Sequence, residues 1–125
     1  MKSMQNLLSN LYLNLVDIEG LDVYHFERPD DFELPYAVWS EQGEADAFHS
    51  DNDKQDQVLN GSLDFFTQTE FDSLADDIQE KLNSIEGCGW TLNSVQYEDT
   101  TKLIHYTWDW ELIWYVDGFG NEWVG

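Results

Sequence analysis

Carboxylates are the most abundant groups in this sequence that could do chemistry, and they are dense between residues 41 and 57, "EQGEADAFHSDNDKQDQ". Asp51 and Asp53 occupy the first and third positions of a potential calcium-binding loop. The sixth position, where such a loop turns sharply on a glycine, is Asp56, and the twelfth, where a glutamate chelates the ion, is Ser62. We therefore predict a long exposed acidic loop here rather than a metal site.

The other side chains commonly used in catalysis lack suitable partners in the sequence. His25, His49 and His105 share no spacing typical of metal ligands, and Cys88 lies between two glycines without a histidine nearby. Neither a serine nucleophile motif nor a glycine-rich phosphate loop is present. We predict no catalytic residue, no cofactor and no metal, and hence a protein that is not an enzyme.

Net charge is the strongest compositional signal. The chain has 26 acidic and five basic residues among 125, a formal charge of −21. A conventional nucleic-acid binder needs lysines and arginines against phosphates, so that class is excluded. An acidic surface repels DNA and attracts basic partners. Three interpretations stay open: carboxylates that mimic DNA phosphates, a negative channel through which DNA passes without binding, and simple solubility.

Nothing in the sequence predicts export or membrane insertion. A single cysteine excludes an internal disulfide. The first sixteen residues are interrupted by three asparagines and lack a small-residue cleavage site, unlike a signal peptide. The longest apolar stretch, residues 103–115, contains two carboxylates and is too short to span a bilayer. We expect no membrane association, and a location in the cytoplasm or in a particle.

Two segments show the helical spacing of apolar residues. The first predicts a helix over about residues 4–17, between Ser3 as a cap and Gly20 as a stop. The second lies within residues 69–85, where Thr69 and Asp72 predict a capping box. The apolar faces consist of Met4, Leu7, Leu8, Leu11 and Leu15 in the first helix, and of Phe71, Leu74, Ile78, Leu82 and Ile85 in the second.

Five alternating segments predict strands, namely "LDVYHFE", "YAVWSE", "VLNGSLDFFTQ", "WTLNSVQYE" and "LIHYTWDWELIWY". In the last one, Ile104, Tyr106, Trp108, Trp110, Leu112 and Trp114 share one face, which we interpret as core rather than a membrane anchor or a base-stacking platform. The expected fold is α+β, with two helices packed on one face of a mostly antiparallel sheet of about five strands, in the order α-β-β-β-α-β-β. Residues 1–116 form one domain in this interpretation, and the glycine-punctuated residues 117–125 form a C-terminal arm.

The segments "LPYAVWSEQG", "NGSLDFFTQTEFDSLADDIQEKLN" and "WTLNSVQYEDTTKLIHYTWDWEL", in this order, resemble the tail-completion proteins of long-tailed phages, also called tail terminators. The resemblance covers roughly residues 5–115 and rests on the order of the elements and on the types of residue in them. It implies a structural protein that forms a ring, typically of six subunits, which caps the tail tube and joins it to the head connector. The partners implied are further copies of the chain, the tail tube protein and the head connector protein, with DNA passing through the lumen without specific binding. The implied location is the virion tail, reached from the host cytoplasm during assembly.

By analogy with such rings, acidic side chains are the candidate interaction surface. In the loop these are Glu44, Asp46, Asp51, Asp53 and Asp56; on the second helix Asp72, Asp76 and Glu80; on the last strand Asp109 and Glu111. Phe119 and Trp123 in the arm are the candidate subunit clasp, although the arm matches no element of that family. Because a ring would gather many negative charges, we expect the subunit to stay monomeric at low salt until a tube end templates assembly.

The alternative function is an acidic DNA mimic, an anti-defence inhibitor that occupies the basic groove of a nucleic-acid enzyme. Asp72, Asp76 and Glu80 favour it because they recur at i, i+4 and i+8 and form one row on a helix. Asp109 and Glu111 favour the ring instead, since they alternate with predicted core residues on a sheet face that a neighbouring subunit could cover. The composition does not choose between the two.

Overall fold

The computed structural model describes residues 4–44, 56–116 and 122–124. These residues form two helices and one sheet, which confirms the predicted α+β class. The element order is the expected one with a short sixth strand added at the end. The elements are α1 (Met4–Val16), β1 (Asp22–His25), β2 (Tyr36–Glu44), β3 (Asp56–Thr67), α2 (Ser73–Ser84), β4 (Cys88–Glu98), β5 (Leu103–Val116) and β6 (Glu122–Val124).

The strands lie side by side in the order β1-β2-β3-β5-β4. The β1–β2 pair is parallel and every other pair is antiparallel, so the sheet is mostly antiparallel as predicted. β6 pairs with the last residues of β5. One side of these residues is already paired with β3, since Asp56 pairs with Tyr115. β6 therefore lies on the β4 side of β5. The boundary expected at residue 116 coincides with the end of β5, but residues 122–124 belong to the same sheet.

One face of the sheet and both helices share a single hydrophobic core. Trp108, Trp110 and Leu112 of β5 are at most 2% exposed, which confirms this part of the aromatic segment as core. Ile104 and Tyr106, predicted on the same face, are only partly buried, and the side chain of Trp114 lies outside those described. The helices contribute the buried side chains Leu7, Leu8, Leu11 and Leu15 from α1 and Ile78 and Leu82 from α2, with Ile85 following α2. Met4, predicted on the same face of α1, is 37% exposed because it lies at the first residue of the helix.

Gly61 allows a close approach of backbone and side chain in the core. The register pairs Gly61 of β3 with Trp110 of β5, and the Trp110 ring packs over this glycine. A Cβ at residue 61 would overlap both a carbon of that ring and the carbonyl oxygen of Ser40 on β2. The indole N–H of Trp110 donates to the carbonyl oxygen of Ser62 at 3.0 Å, which holds the ring in this place. Only glycine fits here.

The connection between β1 and β2 covers a corner of the other face of the sheet. It contains both prolines, and the Leu34–Pro35 peptide is cis. Phe32 packs edge-on against Tyr36, and the Arg28 guanidinium lies 3.8 Å from the centre of the Phe32 ring. Tyr36 is consequently 4% exposed even though it points away from the helices.

The start of α2 differs from the prediction. Asp72 is the N-cap, with an extended backbone (ψ 119°) and a side chain that accepts from the Leu74 N–H at 2.9 Å. The predicted capping box from Thr69 is therefore wrong, because Thr69 lies before the cap and its N–H donates to Thr67 Oγ1. Phe71 precedes the helix and is 91% exposed, so it is not part of the apolar face of α2.

The acidic loop predicted over residues 41–57 is too long. β2 continues to Glu44, which pairs with Leu59, and β3 begins at Asp56. A register shift between Glu41 and Gly43 lets the pairing continue. Since backbone hydrogen bonds hold this pairing, it extends into a polar stretch that side-chain patterns assign to a loop. Residues 45–55 lie outside the described residues.

Candidate functional site

The loop residues of the predicted acidic surface are only partly described. Asp46, Asp51 and Asp53 lie outside the described residues, as does Phe119 of the proposed clasp. Glu44 is the last residue of β2, and Asp56 is the first residue of β3, opposite Tyr115. Trp123, the other clasp residue, lies in β6 and also pairs with Tyr115. A role for these residues in binding stays a prediction.

The acidic row on α2 divides into one structural and two exposed members. Both carboxylate oxygens of Asp72 accept hydrogen bonds within the chain, one from the Leu74 N–H and one from Thr67 Oγ1 at 2.6 Å. Asp76 and Glu80 are exposed on the helix surface. The row that would imitate phosphates therefore contains one carboxylate that the fold itself uses.

Asp109 and Glu111 lie on the open face of the sheet, opposite the core. Both are exposed, and Asn93 Nδ2 donates to Asp109 Oδ2 at 2.7 Å. Asn93 lies at the register shift in β4 between Leu92 and Ser94, where one residue of the edge strand has no partner on β5. The bulge thus directs a polar side chain of the edge strand onto the open face.

A polar cluster that the sequence patterns did not indicate lies on the same open face. His105 Nε2 is 2.8 Å from Asp64 Oδ1 and 3.2 Å from Thr107 Oγ1, and Thr107 Oγ1 donates to Asp64 at 2.8 Å. A hydroxyl nucleophile activated by histidine and aspartate needs these two groups on opposite ring nitrogens. Here both meet the same nitrogen, so the cluster fastens β3 to β5 rather than activating Thr107. The cluster forms because the register of the two strands places Asp64 opposite Thr107, and the sequence does not show this register.

The other potential metal ligands and nucleophiles in the described residues do not form a reactive site either. No group of three or more histidine, cysteine, aspartate or glutamate side chains in the described residues is arranged to hold a metal ion. Burial raises the pKa of the Cys88 thiol to about 11, the opposite of the shift that makes a thiol nucleophilic at neutral pH. His25 lies 2.6 Å from Glu41 and stacks on Trp39, so it too has local partners. Among the helices that the structure describes, none is long and apolar enough to cross a membrane.

The feature that stands apart is β4, the edge strand at one end of the sheet. Eight of its eleven residues are exposed, all except Cys88, Trp90 and Ser94. No strand within the described residues pairs with its outer side. Residues 88–97 contain no charged side chain, although 25% of the chain is charged. Every second residue of such a strand directs its N–H and C=O to the open side, where they are free to pair with another strand.

A groove of about 480 Å³ lies beside β4 on the helix side of the sheet. The groove lies next to the start of α2, near the turn that joins β4 to β5. The helix does not cover this part of the sheet, so the residues on its helix-facing side stay accessible. Phe71 projects into this region from a left-handed backbone (φ 57°), and Val95 and Tyr97 of β4 are 51% and 58% exposed. We call β4 and this groove together the β4 surface. The residues that line the groove are Gln68, Glu70, Phe71, Val95, Tyr97, Lys102, Ile104 and Tyr106.

Comparison with protein-family models finds no match to this chain, and comparison with curated proteins finds none either.

Proposed function

We propose that this protein is a non-enzymatic structural subunit of a phage tail, of the tail-terminator type. In this proposal a ring of copies, six as the resemblance implies, caps the tail tube and presents the surface that joins the head connector. The observation that carries the proposal is the β4 surface: a long sheet edge that has no charge over residues 88–97, is interrupted only by one bulge, and has exposed aromatic and apolar side chains beside it. Such a surface is typical of a protein that functions by binding other protein chains.

The distribution of functional groups supports an assembly role over catalysis. The Asp64–His105–Thr107 cluster joins two strands through a single ring nitrogen, and the thiol of Cys88 is held protonated by burial. Neither arrangement activates a nucleophile. The exposed carboxylates Asp76, Asp109 and Glu111 suit a surface past which DNA moves without adhering, because like charges repel at close range.

The DNA-mimic alternative has less support. A mimic needs free carboxylates in rows, and Asp72 of the proposed row is committed to capping α2. A mimic also has no need for an uncharged edge strand, since its partner is a basic groove. The alternative predicts inhibition of a DNA-binding enzyme by the monomer, which the experiment below includes as an outcome.

Tube growth is the direct test. The tail tube protein encoded with this chain is polymerised alone, with this protein, and with an unrelated acidic protein of similar charge, and the tubes are measured by electron microscopy. We expect this protein to shorten the tubes and to form a ring at one end, and the unrelated protein to have no effect. Tubes of unchanged length without an end ring would overturn the proposal, and inhibition of a DNA-cleaving enzyme by the monomer would replace it with the mimic.

A further inference from the structure

We propose that the β4 surface is the contact between copies of this chain: the open side of β4 pairs with a second copy, and the groove takes apolar side chains of that copy. The inference rests on the proposed function and deepens it by assigning the self-contact to particular residues. It is argued from the two edges of the sheet, the exposed side chains and the position of the charges.

The two edges of the sheet are protected to different degrees. Natural proteins guard sheet edges with short strands, charges, prolines or bulges. β1, at one edge, is only four residues long and begins with Asp22. β4, at the other edge, is eleven residues long, contains no lysine or proline, and has one charged residue, Glu98, at its end. Its single protective feature is the bulge at Asn93. An edge of this length remains available for pairing with another chain.

Four of the nine exposed large apolar side chains in the described residues lie on or beside this edge; four others lie on α1, and Phe26 is the ninth. Phe71 is 91% exposed and adopts a left-handed backbone, which costs free energy in a residue with a Cβ. Within the described residues Phe71 gains little burial in return. Val95 and Tyr97 lie on the same side of the groove region and are more than half exposed. Aromatic residues next to a groove are the usual anchors of protein interfaces.

The distribution of charge indicates that the partner bound at the β4 surface is a second copy of this chain. Two copies at −21 each repel wherever their acidic surfaces meet, as on α2 with Asp76, Asp77 and Glu80. Residues 88–97 carry no charge, so two copies can approach here without opposing carboxylates. The groove rim also contains Glu70 and Lys102, so it has both signs of charge, although Lys102 pairs with Asp99 of its own chain at 3.3 Å. A basic foreign partner would instead be drawn to the acidic surfaces, because charge complementarity steers encounters.

The test compares two lysine substitutions of exposed apolar residues. Val95→Lys changes the β4 surface, whereas Leu13→Lys changes an α1 side chain that is 62% exposed. Both reduce the net negative charge by the same amount, so a difference between the two variants cannot come from a difference in net charge. Mass is measured by light scattering at about 0.5 M salt, where screening shortens the range of the repulsion to a few ångströms. We expect Val95→Lys to weaken self-association about tenfold or more, and Leu13→Lys to leave it unchanged.

A photo-crosslinker tests the same contact, and it does so even if copies assemble only at the end of a tube. p-Benzoylphenylalanine replaces Tyr97 on β4 or, as the control, Tyr12 on α1, which is 37% exposed. The protein is irradiated alone at high salt and with tubes of the tail tube protein. We expect covalent dimers of this chain from position 97 and none from position 12.

The outcomes separate this inference from the proposed function. Copies that crosslink through position 97 but never cap a tube would support the contact and overturn the terminator role. Tubes that are capped while Val95→Lys assembles normally, or while position 97 crosslinks only to the tube protein, would overturn the contact and leave the terminator role standing. A wild-type chain that forms no crosslink between copies under any condition would overturn the contact as well.

Discussion

The centre of the sheet and its β4 edge follow opposite rules. In the centre, β3 and β5 pair along twelve registered positions, and Leu63, Phe65 and Trp108 are completely buried. At the edge, β4 has the same antiparallel geometry, but most of its side chains are exposed. In the centre side-chain volume is critical, whereas at the edge most side chains have free space around them and residues 88–97 carry no charge. We infer that the centre determines folding and that the edge is free to serve binding.

Glycine provides the largest expected contrast between the two regions. Gly61→Ala places a methyl group against the Trp110 ring and the Ser40 backbone in the centre. Because the methyl group overlaps both the Ser40 oxygen on β2 and the Trp110 ring on β5, both must shift relative to β3 to relieve the clash. We expect a loss of about 3 kcal/mol or more in the free energy of unfolding, at or above the usual upper range for overpacking. Urea unfolding followed by tryptophan fluorescence measures it.

Gly89→Ala is the matched control on β4. A Cβ at residue 89 meets no atom within 4 Å. We expect this variant to be as stable as the wild type or slightly more stable, since alanine loses less backbone entropy than glycine in a strand. If both alanine variants lost similar stability, the distinction between a tightly packed centre and an open edge would be wrong.

Truncation of large side chains gives the next contrast. Trp108→Ala removes a completely buried ring and the hydrogen bond from its indole N–H to Gln79 Oε1. We expect a loss of about 3–5 kcal/mol, as for other buried aromatic residues. Leu92→Ala on β4 shortens a side chain that is already 40% exposed, and we expect a change of about 0.5 kcal/mol. Denaturant midpoints at equal slopes check both values, and a Leu92→Ala loss as large as that of Trp108→Ala would contradict them.

The carboxylates of α2 give a smaller contrast. Asp72 connects the helix start to Thr67 at the end of β3, whereas Glu80 is exposed on the surface of the same helix. We expect Asp72→Ala to cost about 1 kcal/mol through the loss of the cap. Glu80→Ala should change stability by about 0.5 kcal/mol or less. Equal effects of the two variants in thermal unfolding would show that Asp72 does not act as a cap.

Periodicity in the sequence was sufficient for both helices, for five of the six described strands and for most of the core. The two-residue period of residues 103–115 located Trp108 and Trp110 on the buried face, and the spacing of the leucines located the buried face of α1. These predictions succeed because burial imposes the period of the element on the side chains. The α+β class followed, since two amphipathic helices need an apolar sheet face to cover.

The candidate site was less accessible from the sequence because it depends on strand order and on helix boundaries. Only the order of strands makes β4 an edge, and the alternating pattern of "WTLNSVQYE" is equally compatible with a central strand. Phe71 fits the apolar spacing of α2 but lies one residue before the cap, so it is exposed. The Asp64–His105–Thr107 cluster depends on a register that joins residues about forty positions apart. The absence of charge over residues 88–97 was a visible signal.

Cys88, at the junction of the core and the edge strand, gives the smallest expected effect on stability at neutral pH. Burial raises its pKa from the usual 9.0 to about 11, so the folded chain favours the neutral thiol. Because the folded-state pKa lies above the unfolded one, this burial costs no stability below pH 9, and stability is lost as the pH rises from 9 to about 11. At pH 8 the thiolate fraction should be about 100-fold lower in the folded than in the unfolded chain, since each pKa unit is tenfold. Alkylation by iodoacetamide, followed by mass spectrometry with and without urea, measures this ratio. Similar rates in both states would place Cys88 with the open edge rather than with the packed centre.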